Sequence, residues 1–332
     1  MIRVSHLTKR YGAHTAVDDV SFEVGAGEVI GFLGPNGAGK STTLRILAGF
    51  LGASAGTVTV AGHDVAVDSI EARRCIGYMP EAVPLYPEMR VVEYLRFRAE
   101  LKGVARARRR AYVDDALRRA GVLDVANKTI GHLSKGYRQR VGLADALVAK
   151  PPIVILDEPT AGLDPNQIRE TRALVRELGR EHTVVLSTHI LSEVEACATR
   201  VLLLHKGKLV AEGATERIRA MRSPTAVDVT VHGDAQAAAV ALRAVDGVAS
   251  VDSIPAGGED PRLRLRVKFG GAGLEGAEGR ALATERCIAA LVGLGIGVRE
   301  VRAADGSLED VFAALTADSD DTSRADGDAP SA

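Results

Sequence analysis

The chain has 332 residues, of which 46% are hydrophobic and 26% charged, and its formal net charge is -1. This length suits two domains of a globular protein, and the near-zero charge argues against a general attraction to nucleic acid or anionic lipid. No segment approaches the roughly 20 apolar residues that span a bilayer, and the first ten residues lack the apolar core of a secretory signal. We therefore expect any membrane-spanning helices of a working complex to belong to another polypeptide.

The three cysteines, Cys75, Cys197 and Cys287, are far apart in the sequence and form no CxxC pair. They cannot all pair with one another. This pattern is typical of reduced thiols, mostly buried, in a protein of the cytosol rather than of a disulfide framework.

Strand and helix patterns alternate through the first 220 residues. Alternating apolar and polar positions predict paired strands over 1–25. Short apolar runs predict further strands over 29–33, 57–60, 76–79, 153–156 and 184–187. Helical periodicity is found from residue 41, over about 91–123, and over 141–148 and 168–178. This alternation predicts an α/β core.

A glycine-rich segment, GPNGAGKST, follows the apolar run 29–33 and fits the P-loop pattern in full. Its glycines let successive backbone N–H groups point into one concavity, and the helix that follows offers its positive end to phosphates. Lys40 is expected to reach the β- and γ-phosphates and Ser41 to ligate Mg²⁺. A chance glycine-rich turn is the alternative, which the strand before and the helix after disfavour. The expected phosphate-binding residues are Gly34, Pro35, Asn36, Gly37, Ala38, Gly39, Lys40, Ser41 and Thr42.

Two adjacent acids end the apolar run 153–156. Asp157 is expected to hold Mg²⁺, directly or through water, and Glu158 to face the attacking water as a general base. Positioning and charge stabilisation would still supply most of the acceleration. Acids after a strand can also simply begin a solvated loop, but a P-loop upstream favours the catalytic interpretation.

The segment LSKGYRQR, at 133–140, resembles the signature motif of ATP-binding cassette (ABC) ATPases, which P-loop enzymes in general lack. Three further marks are present in that family's order. Tyr11 resembles the aromatic residue that stacks on adenine, the segment AGLDP with Asp164 resembles the D-loop, and His189 resembles the switch histidine. The resemblance covers about residues 1–220. It implies the P-loop NTPase fold of an ABC nucleotide-binding domain, with an α-helical subdomain at about 85–148.

The resemblance also implies a head-to-tail dimer in which each ATP lies between the P-loop of one subunit and the signature motif of the other. Ser134 and the backbone of Gly136 would then contact the γ-phosphate from across the interface. His189 would contact it from the P-loop side and hold the attacking water beside Glu158. The chain has one P-loop and one signature motif, so a second copy or a paralogue is required, and a homodimer is expected. The implied cofactors are ATP and Mg²⁺.

Two positions depart from the family pattern. Glu81 stands where the Q-loop glutamine is expected; its carboxylate keeps an oxygen for Mg²⁺ or water and adds a charge, with an effect on metal affinity or coupling that stays open. The signature reads LSKGY, so Lys135 replaces a common glycine. Neither departure predicts an inactive enzyme, because the principal groups are intact: Lys40, Asp157, Glu158 and His189.

The segments at 84–95 and 307–312 resemble ATPase subunits of multidrug, lipid or gliding-type exporters, whose permease is a separate protein. This implies a cytoplasmic subunit, peripheral on the inner face of the cell membrane, whose region 88–123 grips an integral membrane permease. The basic run 106–110 is either a solvated helix face or a contact for lipid head groups or an acidic permease loop.

Two other function classes are disfavoured. Soluble ABC proteins of ribosomes or DNA usually carry two cassettes or long coiled-coil insertions, and this chain has neither. Its near-neutral charge also disfavours a nucleic-acid partner. A non-catalytic regulatory subunit is disfavoured by the intact Glu158.

The composition changes near 221–224, and the patterns beyond it predict a strand, helix, strand, strand, helix and strand at 227–232, 235–245, 248–254, 263–269, 281–294 and 298–302. This βαββαβ order matches a ferredoxin-like accessory domain, placed at 225–316. Its role, regulatory, dimer-supporting or passive, stays open. A flexible loop at 270–279, a short helix at 308–315 capped by Ser307, and a disordered acidic tail at 317–332 are also expected.

Overall fold

A computed structural model of the chain describes residues 1–215, 226–254, 263–270 and 277–304. The chain divides into two compact units, Met1–Ile218 and Arg219–Ala332. The expected boundary at 221–224, the motif at 307–312, the helix at 308–315 with its cap Ser307, and the acidic tail at 317–332 lie outside the described residues.

The described part of the first unit contains ten strands and seven α-helices. The strands are β1 (Ile2–Tyr11), β2 (His14–Val24), β3 (Val29–Leu33), β4 (Ala55–Val60), β5 (His63–Asp64), β6 (Ile76–Met79), β7 (Ile153–Asp157), β8 (Thr183–Thr188), β9 (Arg200–His205) and β10 (Lys208–Ala214). The helices are α1 (Lys40–Leu47), α2 (Ser69–Arg74), α3 (Val91–Leu101), α4 (Arg106–Arg119), α5 (Lys135–Leu147), α6 (Pro165–Leu178) and α7 (Leu191–Cys197).

A mostly parallel sheet forms the centre of this unit, in the order β10-β9-β3-β8-β7-β6. Every residue of β3, β7 and β8 is buried, as expected of strands in a parallel sheet covered on both faces. β10 alone pairs antiparallel within this sheet, against β9. The carboxyl ends of the parallel strands lie along one edge, so the segments that follow β3, β6, β7 and β8 meet there.

A smaller antiparallel sheet has the order β2-β1-β4-β5. Apolar residues on alternate positions of its strands are buried, including Ile2 and Val4 of β1 and Phe22 and Val24 of β2. They share one hydrophobic core with the central sheet, where the ring of Phe22 meets that of Phe32 at 5.2 Å between centroids. This sheet is therefore fixed against the central one by ordinary apolar burial.

The helical region differs from the predicted periodicity at its boundaries. The predicted helical stretch 91–123 is two helices, α3 and α4, because Gly103 takes a left-handed φ of 74° just after α3 and turns the chain. The helix expected at 141–148 begins six residues earlier, where Ser134 caps α5 by accepting a hydrogen bond from the Tyr137 N–H. The first turns of α5 are polar and therefore show no apolar periodicity, which explains why the predicted start of the helix is too far along the chain.

Asp145 of α5 joins two helices of this region. Its Oδ1 forms ion pairs with Arg98 of α3 and with Lys102, the residue that caps the C-terminus of α3, each at 2.9 Å. Burial lowers the pKa of Lys102, and the charge of Asp145 opposes that shift. A shared carboxylate thus fixes α3 against α5, the helix that carries the signature motif.

The described part of the second unit contains β11 (Ala226–His232), α8 (Ala235–Arg243), β12 (Val248–Ile254), β13 (Leu263–Phe269), α9 (Ala277–Gly293) and β14 (Gly297–Ala304). Its sheet is antiparallel with the order β12-β13-β11-β14. The predicted βαββαβ order and the ferredoxin-like arrangement are both present. The predicted loop at 270–279 extends too far, because α9 already begins at Ala277. Residues 271–276 of that loop lie outside the described part.

Candidate functional site

The carboxyl edge of the central sheet opens into a cavity of about 440 Å³, within the range of small-molecule sites. Residues 36–42 of the P-loop form its floor, and Tyr11, Glu81, Glu158 and His189 reach it from four other segments. Eleven of the sequence-predicted site residues are therefore brought together around one cavity: Tyr11, Asn36, Gly37, Ala38, Gly39, Lys40, Ser41, Thr42, Glu81, Glu158 and His189.

The P-loop backbone admits only glycine at two of its positions. Gly39 has a φ of 101°, and a Cβ there would lie 2.6 Å from the carbonyl oxygen of Ala16. A Cβ on Gly34 would lie 2.4 Å from the carbonyl oxygen of Leu204. No side chain caps the N-terminus of α1, which begins at Lys40. Its first N–H groups and positive helix end therefore face the cavity floor without a side-chain partner, as an anion site requires.

The ammonium group of Lys40 is held inside the P-loop. The side chain is buried, and its Nζ donates to the carbonyl oxygens of Gly34 and Pro35 at 2.7 and 3.2 Å. Its Nζ also lies 3.5 Å from Oε1 of Glu158. Gly34 and Pro35 do not line the cavity themselves. Their carbonyl oxygens contribute to the site by holding the ammonium group of Lys40. A buried cation with three oxygen neighbours is well placed to meet the charge of a phosphate.

Asp157 and Ser41 supply the oxygen atoms of a candidate Mg²⁺ site. Ser41 Oγ donates to Asp157 Oδ1 at 2.9 Å, and Ser187 Oγ donates to the same atom at 2.7 Å. Asp157 is fully buried, yet its Oδ2 has no hydrogen-bond partner. Burial, followed by the charge of Asp157, raises the pKa of Tyr78 to about 12, so this neighbouring phenol stays neutral at physiological pH.

These residues fit Mg²⁺ of the kind that nucleotides bring. A buried carboxylate oxygen without a partner and a hydroxyl are hard oxygen ligands. Among the residues that the structure describes, no cluster of three or more His, Cys, Asp or Glu side chains could hold a metal by itself. Ser41, Asp157 and, from the cavity lining, Glu81 would thus supply the protein's oxygen atoms, and phosphate oxygens and water the rest.

Glu158 lies in a strained backbone position immediately after β7. Its φ is 48°, which is uncommon for a residue other than glycine. Its N–H donates to Ser187 Oγ at 3.0 Å, and its side chain is 8% exposed. His189 Nδ1 lies 2.9 Å from Glu158 Oε2, so the carboxylate accepts a hydrogen bond from Nδ1–H, and Nε2 is on the opposite side of the imidazole ring.

Ser134 and Gly136 of the signature segment and Asp164 of the D-loop do not line the cavity, whereas Ala161, the first residue of the D-loop segment, does. Ser134 caps α5, and Asp164 caps α6 by accepting from the N–H groups of Asn166 and Gln167. Gly136 packs against Gln167, since a Cβ there would lie 2.6 Å from its Oε1. Within one chain, Ser134, Gly136 and Asp164 therefore do not join the P-loop.

Sequence reasoning missed three residues of the site. His14 and Ala16, at the start of β2 after the turn that follows Tyr11, line the cavity. Ser187 bonds both Asp157 and the backbone of Glu158. The available signals were the position of His14 just after the hairpin turn that follows Tyr11 and the hydroxyl of Ser187 near the end of a strand with an apolar centre. Neither signal is specific without the fold.

The described residues include no helix that is both long and apolar enough to cross a membrane.

The chain is similar to known transport ATPases. The sequence profile described as ABC transporter matches residues 17–161. The daunorubicin resistance ATP-binding protein DrrA3 of Streptomyces coeruleorubidus is 34% identical over 319 residues, which are 96% of each chain. The linearmycin resistance ATP-binding protein LnrL of Bacillus subtilis is 33% identical over 76% of this chain and 81% of its own.

A solved dimeric ATP-binding cassette in a post-hydrolysis state, bound to ADP and Pi, shares the fold with a TM-score of 0.59. It is 27% identical and covers 65% of this chain and 99% of its own. The predicted fold class and ATPase activity are confirmed by these comparisons. The P-loop lines a cavity at the carboxyl edge of the sheet, which is where a nucleotide would bind, and the relatives are ATP-binding proteins by name. The chain therefore belongs to the ABC transporter family as an ATP-binding, ATP-hydrolysing subunit.

Proposed function

We propose that the chain binds MgATP as a homodimer and that its ATP-driven closure and hydrolysis power export through a separate membrane permease. One observation carries this proposal. The cavity gathers the P-loop, Lys40, Glu158 and His189, while Ser134 at the start of α5 lies outside it. The γ-phosphate would receive its remaining contacts from Ser134 and Gly136 of a second copy.

Each residue of the cavity has a role in this proposal. Lys40 and the P-loop amides bind the β- and γ-phosphates, and Tyr11 stacks on the adenine. Ser41 and Asp157 hold Mg²⁺, with Glu81 near enough to line the same cavity. Mg²⁺ supplies charge neutralisation on the phosphates when bound.

Hydrolysis itself is assigned to the pair next to the P-loop. Glu158 accepts a proton from the attacking water. In its imidazolium form, His189 would donate Nδ1–H to Glu158 and Nε2–H to the γ-phosphate. In the dimer, Asp164 would lie close to the partner's nucleotide. ATP then stabilises the closed dimer, and hydrolysis of ATP lets the dimer open. This follows because the closed and open states differ in their affinity for ATP and for the products.

The permease contact is assigned to a groove of about 390 Å³ between α2 and α3. Its rim carries Ile70 and Leu101, each 60% exposed, together with the cationic residues Arg73 and Lys102. Exposed apolar side chains rimmed by charge are typical of a protein contact. We assign this groove to a permease helix. The chain would thus be cytoplasmic, peripheral on the inner face of the membrane.

Export and domain roles follow from the same proposal. The two relatives named above are resistance proteins by name, which supports outward transport. Residues 1–220 act as the nucleotide-binding domain, with the helical subdomain at about 85–148. The βαββαβ unit at 225–316 acts as an accessory module.

Two measurements test the proposal. Light scattering on the Glu158→Gln variant is expected to show dimers with ATP and monomers without it; a monomer at saturating ATP would contradict the dimeric site. Affinity purification of the tagged chain from solubilised membranes is expected to recover a polytopic membrane protein. Leu101→Asp should lose it, whereas Leu294→Asp, an exposed leucine of the second unit, should keep it. Recovery of ribosomes instead would overturn the transport assignment.

A further inference from the structure

A buried carboxylate lies behind the catalytic loops and has no part in the roles proposed above. Glu193 of α7 is 2% exposed. Its Oε2 accepts hydrogen bonds from the hydroxyls of Thr160 and Thr188, each at 2.7 Å. Burying a carboxylate is costly unless it is hydrogen-bonded, and hydrogen bonds to a charged oxygen are the stronger kind. The two hydroxyls are therefore held firmly on one oxygen atom.

The two threonines belong to different loops. Thr160 follows Glu158 by two residues, and Thr188 immediately precedes His189. Thr188 Oγ1 also accepts a hydrogen bond from the Ile190 N–H at 3.0 Å, which leaves its proton directed to Glu193. A single carboxylate oxygen thus joins the loop that carries Glu158 to the loop that carries His189.

The sheet itself does not make this connection. Pairing between β7 and β8 ends at Asp157 and Ser187, with one last backbone hydrogen bond from the Glu158 N–H to the Ser187 carbonyl oxygen at 3.2 Å. Glu158 then turns away with its φ of 48°, a conformation that persists only where the surroundings enforce it. Beyond that point, the relative position of the two loops depends on side-chain contacts such as those of Glu193.

Glu193 is itself held against the strand that leads into the P-loop. The next residue, Val194, is fully buried. It packs so closely on β3 that a Cβ on Gly31 would lie 2.4 Å from its Cγ1. At the other end of α7, Cys197 Sγ contacts the carbonyl oxygen of Arg172 at 3.5 Å. Glu193 therefore gives the two catalytic loops a common reference fixed to the central sheet.

We propose that Glu193 is a positioning residue for ATP hydrolysis. By bridging Thr160 and Thr188, it keeps the carboxylate of Glu158 and the imidazole of His189 in register with each other and with the P-loop. This inference rests on the proposed roles of Glu158 and His189. A displacement of about 1 Å in a catalytic group can cost roughly a hundredfold in rate, so the bridge acts on turnover rather than on nucleotide affinity.

The first test compares two substitutions at Glu193. Glu193→Met keeps the volume but offers no acceptor, and we expect kcat to fall about tenfold or more while KM for ATP changes less than about threefold. Glu193→Gln keeps an amide oxygen that can accept from both hydroxyls, and it should recover most of the lost turnover. Glu177→Met, on an exposed position of α6, is the matched control.

The second test keeps Glu193 and removes its donors, in case Glu193→Met does not fold. Thr160→Val and Thr188→Val each replace a hydroxyl by a methyl group. Each should lower kcat several-fold. In the double variant, kcat should fall by much less than the product of the two single factors. The reason is that removing either hydrogen bond already breaks the bridge between the loops. Factors that simply multiply would overturn the bridge.

The outcomes separate this inference from the proposed function. Equal kcat losses in Glu193→Gln and Glu193→Met, or a larger change in KM than in kcat, would overturn the positioning role. Wild-type turnover in Glu193→Met together with an inactive Glu158→Gln variant would overturn the inference and leave the role of Glu158 standing. Turnover in Glu158→Gln would remove the proposed mechanism itself.

Discussion

The imidazole of His189 lies 2.9 Å from the carboxylate of Glu158, although 30 residues separate them in the sequence. The contact joins the ends of two neighbouring parallel strands, β7 and β8. Glu158 is nearly enclosed and His189 is half exposed. A protected base beside an accessible imidazole is an arrangement that can hold a water molecule against a phosphate.

Substitution of Glu158 by Gln is the most direct test of this pair. We expect kcat for ATP hydrolysis to fall roughly 10²–10⁴-fold, the usual contribution of a general base. ATP binding should persist, because the P-loop contacts are unchanged, and the ATP-bound dimer should be stabilised. Steady-state phosphate release and light scattering measure both effects. Glu181→Gln, an exposed acid, should behave as wild type; a comparable loss there would point to a general effect of charge.

Lys40→Ala should act on binding itself. The substitution removes a buried cation from the cavity floor, where hydrogen bonds to charged groups contribute about 1.5–3 kcal/mol. ATP affinity measured by calorimetry should therefore fall about ten- to a hundredfold. Lys208→Ala, at an exposed position, is the control. Unchanged affinity in Lys40→Ala would mean that the phosphates bind elsewhere.

Glu81→Gln restores the amide that the family pattern carries at this position. Removing a negative charge from the cavity should tighten binding of ATP without Mg²⁺ by up to about fivefold, since exposed charge interactions contribute at most roughly 1 kcal/mol. The Mg²⁺ concentration for half-maximal turnover should rise, because a carboxylate oxygen near the metal is lost. Titrations of ATP and of Mg²⁺ separate the two effects. A fall in the required Mg²⁺ would exclude Glu81 as a metal-binding group.

Gly31→Ala should destabilise the first unit. Its Cβ would lie 2.4 Å from Val194 Cγ1, and overpacking of this kind costs about 1–3 kcal/mol. The urea midpoint of unfolding should fall. Adding Val194→Ala should cost less than the sum of the two single effects, because the clash is then relieved. Gly52→Ala, where a Cβ meets nothing within 4 Å, should leave the midpoint unchanged.

The thiols should be protected in the folded chain. Burial raises the pKa of both Cys197 and Cys287 to about 11, so below that pH the folded protein keeps them as unreactive thiols. At pH 8, an aromatic disulfide reagent should modify both slowly in buffer and fast in denaturant, where the pKa returns to its usual range. Cys75, which is less buried, should react first. Rapid reaction of Cys287 without denaturant would show that the second unit opens.

Most of the catalytic groups could be predicted from the sequence, because each one belongs to a short segment with a recognisable pattern. The P-loop glycines, the acids after an apolar strand and the βαββαβ order follow from local backbone and periodicity rules. Helix starts at Lys135 and Pro165 came earlier than predicted, since polar first turns have no apolar period. Ser187 and Glu193 were missed for a different reason: a hydroxyl in a strand and a carboxylate in a short helix acquire meaning only from their partners.

The sequence by itself determined the chemistry available to this protein: a phosphate-binding loop, a buried acid pair, a histidine and a signature segment, each specified by a few adjacent residues. The tertiary structure alone decided which of these meet. Parallel strands bring the segments after β3, β6, β7 and β8 to one edge, so Lys40, Glu81, Glu158 and His189 share a cavity, while Ser134 and Asp164 serve as helix caps away from it. Strand order and register set those distances, and they arise from contacts between residues far apart in the chain.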